Sequence, residues 1–383
     1  MIPYGKQDIS SADIEAVVQV LQSDYLTQGE QVPRFEQTVA SYCGADYAVA
    51  VNSATSALHI ACLALGLGKG GRLWTSPNTF VASANCALFC GATVDFVDID
   101  SRTYNMCMVA LDEKLHEAKK TNTLPDIVVP VHFAGQSCDL KRIHELSLEY
   151  GFKIIEDASH AIGGKYLGSP IGGGKYSDIT VFSFHPVKIV TTGEGGVATT
   201  NQQPLVEKMQ LLRSHGVTRE PHLMHSQPKE AWGYQQVDLG FNYRMTEMQA
   251  ALGISQMLRL NDFIQKRKAF ALQYDADLSS LPLVLPYQTP DSDSSFHLYP
   301  VLIQTDQISR SEVFNALRKQ GIGVNVHYIP VHTQPYYQKM GFAQGDFPVA
   351  ETYYQQTISI PVFHAMTEQD QETVIKVLQK VLV

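Results

Sequence analysis

Over its first two hundred residues the chain alternates short β-prone runs with helical patterns, and this alternation restricts the fold more than any other feature. Tyr47 to Val51, Leu73 to Thr75, Thr93 to Val97, Ile127 to Val131 and Lys153 to Ile155 read as short strands. Helical stretches such as Ala57 to Leu65 and Leu140 to Tyr150 separate them, and Ile14, Val17, Val18 and Leu21 recur at helical spacing ahead of the first strand. Short apolar strands separated by helices predict βα units around a mainly parallel sheet covered on both faces. After about residue 245 the texture changes. Met245 to Tyr274 reads as one long helix and Pro282 to Ser294 as a loop. His297 to Ile303 and Val324 to Tyr328 read as strands, Ser311 to Gln320 and Glu368 to Val381 as helices. The expected architecture is α/β, with a large domain over residues 1–245. Residues 246–383 then supply a long connecting helix and a small C-terminal α/β domain. A chain of 383 residues, 44% of them hydrophobic, is long enough to bury such cores.

The formal net charge of −9 argues against a nucleic-acid binder, which needs a Lys/Arg excess to neutralise phosphates. It leaves room for an anionic small molecule, for which a few local cations suffice. All six cysteines lie within the first 138 residues, with no C-x-x-C pair and no His pair at zinc spacing beside them. The expectation is reduced thiols in a cytoplasmic protein, with no metal site. Met1 to Lys6 shows no apolar signal segment, and no stretch reaches the ~18 apolar residues of a membrane span. Two phosphate-loop look-alikes carry no weight. Gly66 to Gly71 matches G-x-G-x-x-G but follows a helix, which makes it a helix cap and turn. Gly172-Gly173-Gly174-Lys175 has Ser169 at the first Walker glycine and Tyr176 where Ser or Thr would hold magnesium.

The most informative block lies between residues 154 and 196. Ile154-Ile155-Glu156-Asp157-Ala158-Ser159-His160 puts an acid where a core strand ends. Ser183-Phe184-His185-Pro186-Val187-Lys188 follows, and then Thr191-Thr192-Gly193-Glu194-Gly195-Gly196. A strand-end Asp suits a pyridinium nitrogen, which it keeps protonated as part of an electron sink. A Lys in a glycine-rich, mostly uncharged stretch suits a Schiff base. Singly, such an Asp is more often a helix cap and such a Lys a solvated surface residue. Their order and spacing together are far more specific.

These segments resemble the sugar aminotransferase family named after DegT, DnrJ and EryC1, within the pyridoxal-phosphate (PLP) enzymes of fold type I. The resemblance spans nearly the whole chain. It also includes Tyr25 to Gly29, Asn52 to Leu58, Ser76 to Ala82, Gly240 to Leu252 and His327 to His332. Ile2 to Gln7 and the His185 to Lys188 run are most similar to the branch of the family that aminates UDP-linked 4-keto sugars for pseudaminic acid. The resemblance implies that Lys188 holds PLP as an aldimine and moves the proton, and that Asp157 partners the ring nitrogen. It implies that Thr55, Ser56 and Ser183 bind the cofactor phosphate, where a helix N-terminus offers free N–H groups. Phe80 would stack on the ring, and His160, where the family commonly has Gln, would lie near the ring hydroxyl. Asn242 would reach the phosphate of a neighbouring subunit, giving a homodimer with shared sites. Tyr4, His185, Arg244, His327, Tyr328 and His332 would face the substrate.

Each assignment has a plainer alternative in the residues themselves. Ser53 or Thr55 is also a good helix N-cap, Phe80 a core residue, and His160 a structural histidine. Thr246 and Glu247 suit the start of a helix. The implied reaction takes an amino group from glutamate to C4 of a UDP-linked 4-keto-6-deoxy sugar. A different nucleotide-linked keto-sugar, such as a dTDP-sugar, is the nearest alternative. A PLP-binding regulator without catalysis is the alternative from another class, and neither a helix-turn-helix segment nor a basic patch favours it. A related sugar dehydratase would lack the Schiff-base lysine.

Overall fold

The computed structural model describes residues 1–226 and 230–382. Seven strands form the main sheet: β1 (Tyr47–Val51), β2 (Arg72–Thr75), β3 (Thr93–Phe96), β4 (Ile127–Val129), β5 (Lys153–Asp157), β6 (Ile179–Ser183) and β7 (Gly196–Thr200). Their order is β1-β7-β6-β5-β4-β2-β3. Strands β2 to β6 pair in parallel. β7 runs against both β6 and β1, so β1 points the same way as the parallel five. Six strands therefore end on one edge, and β7 starts there. In such sheets ligands bind beyond the carboxyl ends of the strands.

β4, β6 and β7 are buried along their whole length, as Ile/Val-rich strands must be when helices cover both faces. On one side Val49, Val181 and Ala198 pack with Ala57, Ile60 and Ala61 of helix Ala54–Ala64. On another, Phe182 and Val197 pack with Phe35 and Val39 of helix Gln31–Cys43.

A second, antiparallel sheet joins β8 (Leu283–Val284), β9 (Tyr299–Ile303) and β10 (Thr357–Ile360). Its core includes Tyr274, Val313 and Leu378 from helices Leu260–Asp277, Arg310–Lys319 and Glu368–Leu382. The N-terminal segment, grouped by sequence with residues 1–245, is pinned to this second unit. Ile2 bridges Ile322, and the Val362 N–H donates to the Tyr4 carbonyl. Tyr4 thereby reaches the strand-end edge of the main sheet.

Three expectations need correction. The long helix is two, Glu247–Met257 and Leu260–Asp277. No Pro or Gly marks the break. Instead Arg259 leaves helical geometry and its guanidinium binds Asp8 and Asp13. Val324 to Tyr328 is not a strand: among the described residues it forms an isolated bridge, Asn325 to Ser359. The stretch from Pro282 to Ser294 contains two short strand segments, Leu283–Val284 and Ser292–Asp293, the latter paired with Lys165–Tyr166.

Candidate active site

The strand ends bring distant segments together. Val51 pairs with Gly196, Gly196 with Ser183, and Asp157 with Val181 two residues before Ser183. Helix Ala54–Ala64 starts immediately after β1, with Ser53 as its N-cap accepting from the Ser56 N–H at 3.1 Å. The N–H groups of Ala54 and Thr55 precede any possible helical acceptor. They point out of the helix start with its positive dipole end. Thr55 is half-buried, whereas the Ser56 hydroxyl is turned inward and donates to Asn52 Oδ1 at 2.7 Å. Gly196 lies directly under this turn. A Cβ there would meet the Ser53 carbonyl and the Ala54 nitrogen at 2.5 Å. The absence of that side chain is what lets the turn sit at the strand ends, beside the buried Ser183.

Alternation along β5 sends its two acids to different faces. Glu156 enters a buried polar cluster, accepting from His132 Nε2 at 2.7 Å and from the hydroxyls of Ser177 and Thr180. Asp157 faces the other way. Its Oδ2 accepts from Ser83 at 2.6 Å and its Oδ1 from the Ser159 N–H at 3.1 Å. Thr79 backs Ser83, with their hydroxyls 2.7 Å apart. Two donors thus fix the carboxylate and leave lone pairs for a further N–H.

Lys188 follows β6 in a turn whose Lys188 N–H donates to the His185 carbonyl at 2.9 Å. No ion pair or hydrogen bond among the described residues engages its Nζ. Burial lowers the amine to about 8, and the negative charge of Asp157 opposes that fall. Such an amine is a competent nucleophile and base near neutral pH.

Around it stand aromatic and imidazole rings. Phe80 is 60% exposed, so it is not core, and its ring centroid lies 6.4 Å from that of Tyr328. Tyr4 lies 5.4 Å from His327, centroid to centroid. His327 is buried and bonds Ser359 Oγ at 2.8 Å through Nδ1. Burial and the nearby Lys188 push it down to about 3, so it is neutral. His160 is also buried and held well below its ordinary value by burial, Lys188 and His327. Its Nε2 lies 3.0 Å from the Tyr328 hydroxyl and its Nδ1 accepts from the Ala134 N–H at 3.3 Å. Both ring nitrogens of His160 therefore have protein partners.

Not every candidate joins this group. His332 is wholly buried, bonded to Glu351 at 2.8 Å and packed on Phe347. Its ring therefore offers no surface to a substrate, and the expected contact is corrected to a core role. His185 is exposed and turned toward Glu194, 3.8 Å away. Arg244 lines a separate cleft of about 1360 Å³ with Tyr25, Arg213 and Arg219, whose lining does not include Lys188. Asn242 is exposed, and its loop is tied to the strand end of its own chain, with the Asn52 N–H donating to the Tyr243 carbonyl at 2.8 Å. Sequence reasoning missed Ser83, Thr79 and His297. The His297 ring lies 4.4 Å from His160, and its Nδ1 is buried with no partner. The signal that could have found two of them is the Ser76 to Ala82 segment, which contains Thr79 and stops one residue short of Ser83.

The donor set fits pyridoxal phosphate: a helix start for a phosphate, a fixed carboxylate for a ring nitrogen, an unpaired amine for an aldehyde carbon, and an exposed aromatic face. The comparisons agree. A transaminase of UDP-4-amino-4,6-dideoxy-N-acetyl-β-L-altrosamine from Campylobacter jejuni is 36% identical over 389 residues, covering 100% of this chain and 98% of the relative. The Helicobacter pylori aminotransferase PseC, involved in the biosynthesis of pseudoaminic acid, superposes with a TM-score of 0.89 at 31% identity, covering 100% of this chain and 99% of that one. The sugar aminotransferase Spr1654 of Streptococcus pneumoniae, solved in both PMP and PLP forms, is 28% identical with TM-scores of 0.89 and 0.88 and full coverage of both chains. These neighbours place the mainly parallel sheet within PLP fold type I. The DegT/DnrJ/EryC1/StrS aminotransferase family model matches residues 7–379, and this chain belongs to that family as a PLP-dependent sugar aminotransferase.

Proposed function

We propose that the enzyme transfers the amino group of glutamate to C4 of a UDP-linked 4-keto-6-deoxy sugar, in the type of step that leads to pseudaminic acid. The observation that supports this reading most is full-length similarity to the Campylobacter transaminase, joined to a buried Lys188 amine within reach of the Asp157 charge. When bound, PLP supplies the electron sink that lets a proton leave the amino-bearing carbon.

The chain's own groups do the rest. The Ala54 and Thr55 N–H groups, the Thr55 hydroxyl and Ser183 anchor the phosphate. Asp157, held by Ser83 and Ser159, keeps a proton on the ring nitrogen. Lys188 Nζ, with its lowered basicity, would serve as the base for the proton on the amino-bearing carbon and as the acid that gives it back. Phe80, exposed beside the cleft, would offer its face to the ring.

The proposal includes a cytoplasmic homodimer in which Asn242 serves the partner's phosphate. The exposure of Asn242 leaves its amide free for that role. No helix among the described residues is long and apolar enough to cross a membrane. Incubation with glutamate and a panel of UDP- and dTDP-linked 4-keto sugars, read by mass spectrometry, tests the assignment. Amination of a UDP-linked 4-keto-6-deoxy sugar is expected to dominate; preference for a dTDP-sugar would refute it.

A further inference from the structure

Tyr328 lies within reach of the Asp157 charge, with its hydroxyl bonded to His160, a histidine that also feels the Lys188 amine and whose hydrogen-bonding direction is fixed. The Ala134 N–H can only donate, so it requires a bare Nδ1 on His160. Ala134 is held for this task in a left-handed turn at φ 57°, between Phe133, whose N–H donates to Asn105, and Gly135. A neutral imidazole with a bare Nδ1 carries its one proton on Nε2. That nitrogen faces the Tyr328 oxygen at 3.0 Å, so His160 donates and Tyr328 accepts.

Neutrality of His160 is enforced from several sides. The Lys188 amine and His327 face it from the cleft, and His297 lies against its ring. Behind His297 sits Arg267, fully buried and bound only to the carbonyls of Phe296, His297 and Val362. No carboxylate pairs with that guanidinium among the described residues. A second cation at His160 would join this positive surrounding without compensation.

The consequence falls on Tyr328. Burial and the charge of Asp157 raise its phenol, so it keeps its proton. Having accepted from His160, it has that proton left to donate. The other imidazole N–H groups of known direction are spent. The Asn325 amide approaches His327 Nε2 at 3.4 Å, which leaves the His327 Nδ1–H for Ser359. The Tyr328 ring is braced edge-on by Phe133 and faces Phe80 across 6.4 Å, and its N–H donates to Asn78 at 3.3 Å. A braced donor of fixed direction loses little on engaging its target.

Every keto-sugar substrate shares one acceptor-only group at the reacting carbon, its carbonyl oxygen. We propose that Tyr328 donates a hydrogen bond to that oxygen, and that His160 is the positioning residue that sets the direction of the hydroxyl. The proposal rests on the sugar aminotransferase reading. The bond draws electron density from the carbonyl carbon as nitrogen approaches it, and no proton needs to leave Tyr328 for this effect.

Two independent arms test it. In the first, the holoenzyme labelled with 15N-histidine is examined by NMR, with His160 assigned through the His160→Gln variant. A neutral ring protonated on Nε2 is expected at pH 7. An Nδ1–H tautomer or an imidazolium overturns the proposal, whatever the enzyme aminates. In the second, kinetics are measured with a keto-sugar that the wild type aminates. Tyr328→Phe should lower kcat about 100-fold with KM changed less than threefold, as for loss of an oxyanion donor. His160→Leu should fall comparably, and the double variant no further than either single change. His160→Gln, which keeps an N–H for Tyr328, should recover most of the rate. Retention of kcat by Tyr328→Phe, or additive losses in the double variant, overturns the proposal. If the wild type aminates no keto-sugar, the sugar reading fails while the NMR arm still decides the hydroxyl's direction.

Discussion

The amine of Lys188 is the group whose chemistry the fold changes most, and replacing Asp157 by Asn tests why. Burial lowers that amine from 10.5 to about 8. At pH 7 this makes the neutral, reactive form about 300-fold more abundant than on an exposed lysine, since each pH unit is a factor of ten. Asp157 works in the opposite direction, because a neighbouring negative charge favours the protonated amine. Asp157→Asn keeps the shape and removes that charge, so the Lys188 midpoint must move below about 8, not above it. The assay is competitive acylation of the apoprotein across a pH series, with peptide mass spectrometry reporting the labelling of Lys188 against exposed lysines such as Lys69. The wild type should be half-reactive near pH 8 and the variant at a lower pH. Turnover should nevertheless collapse in the variant, because the ring nitrogen loses its partner; each tenfold loss is ~1.4 kcal/mol of barrier. A wild-type midpoint near 10, or an upward shift in Asp157→Asn, would refute the electrostatic reasoning.

Gly196→Ala should weaken PLP binding at least tenfold, or about 1.4 kcal/mol, because the added Cβ collides with backbone of the Ser53–Ala54 turn. Fluorescence titration with PLP checks this, and unchanged affinity would show that the turn does not hold the phosphate. Mixing Lys188→Ala with Asn242→Asp under subunit exchange should restore about a quarter of wild-type activity if the sites are shared in a twofold dimer. Verified exchange with no recovery would assign Asn242 to its own chain, where the Asn52–Tyr243 hydrogen bond already tethers its loop.

The parts of the site that sequence reveals are those built by one strand end and the loop that follows it. Asp157, Ser183, Lys188 and the Asn52 to Ser56 turn each sit in such a segment, where local composition and order carry the signal. The remainder depends on contacts between distant positions. Ser83 meets Asp157 across 74 residues and Arg259 meets Asp13 across 246, and neither pairing leaves a periodic trace. The helix break at Leu258 and Arg259 has no local sequence signal for the same reason: it coincides with an ion pair to Asp13, not with a breaking residue. His332 sits in a run of polar rings, and only packing against Phe347 and Glu351 distinguishes it from its exposed or cleft-lining neighbours.

The two acids that end β5 also bear on how the strand finds its place. Slippage by one residue would exchange every side chain between the two faces of the sheet. A slip by one residue toward the strand end would put Glu156, longer by a methylene, where Asp157 stands, and Ile155 opposite His132. The cluster of His132, Ser177 and Thr180 therefore acts as a registration key on the far face. A chain that mispaired this strand would lose the Asp157 carboxylate held by Ser83 and its buried hydrogen bonds to Glu156 in the same event. Quality control of the fold and integrity of the chemistry are in this way joined at a single pair of adjacent residues.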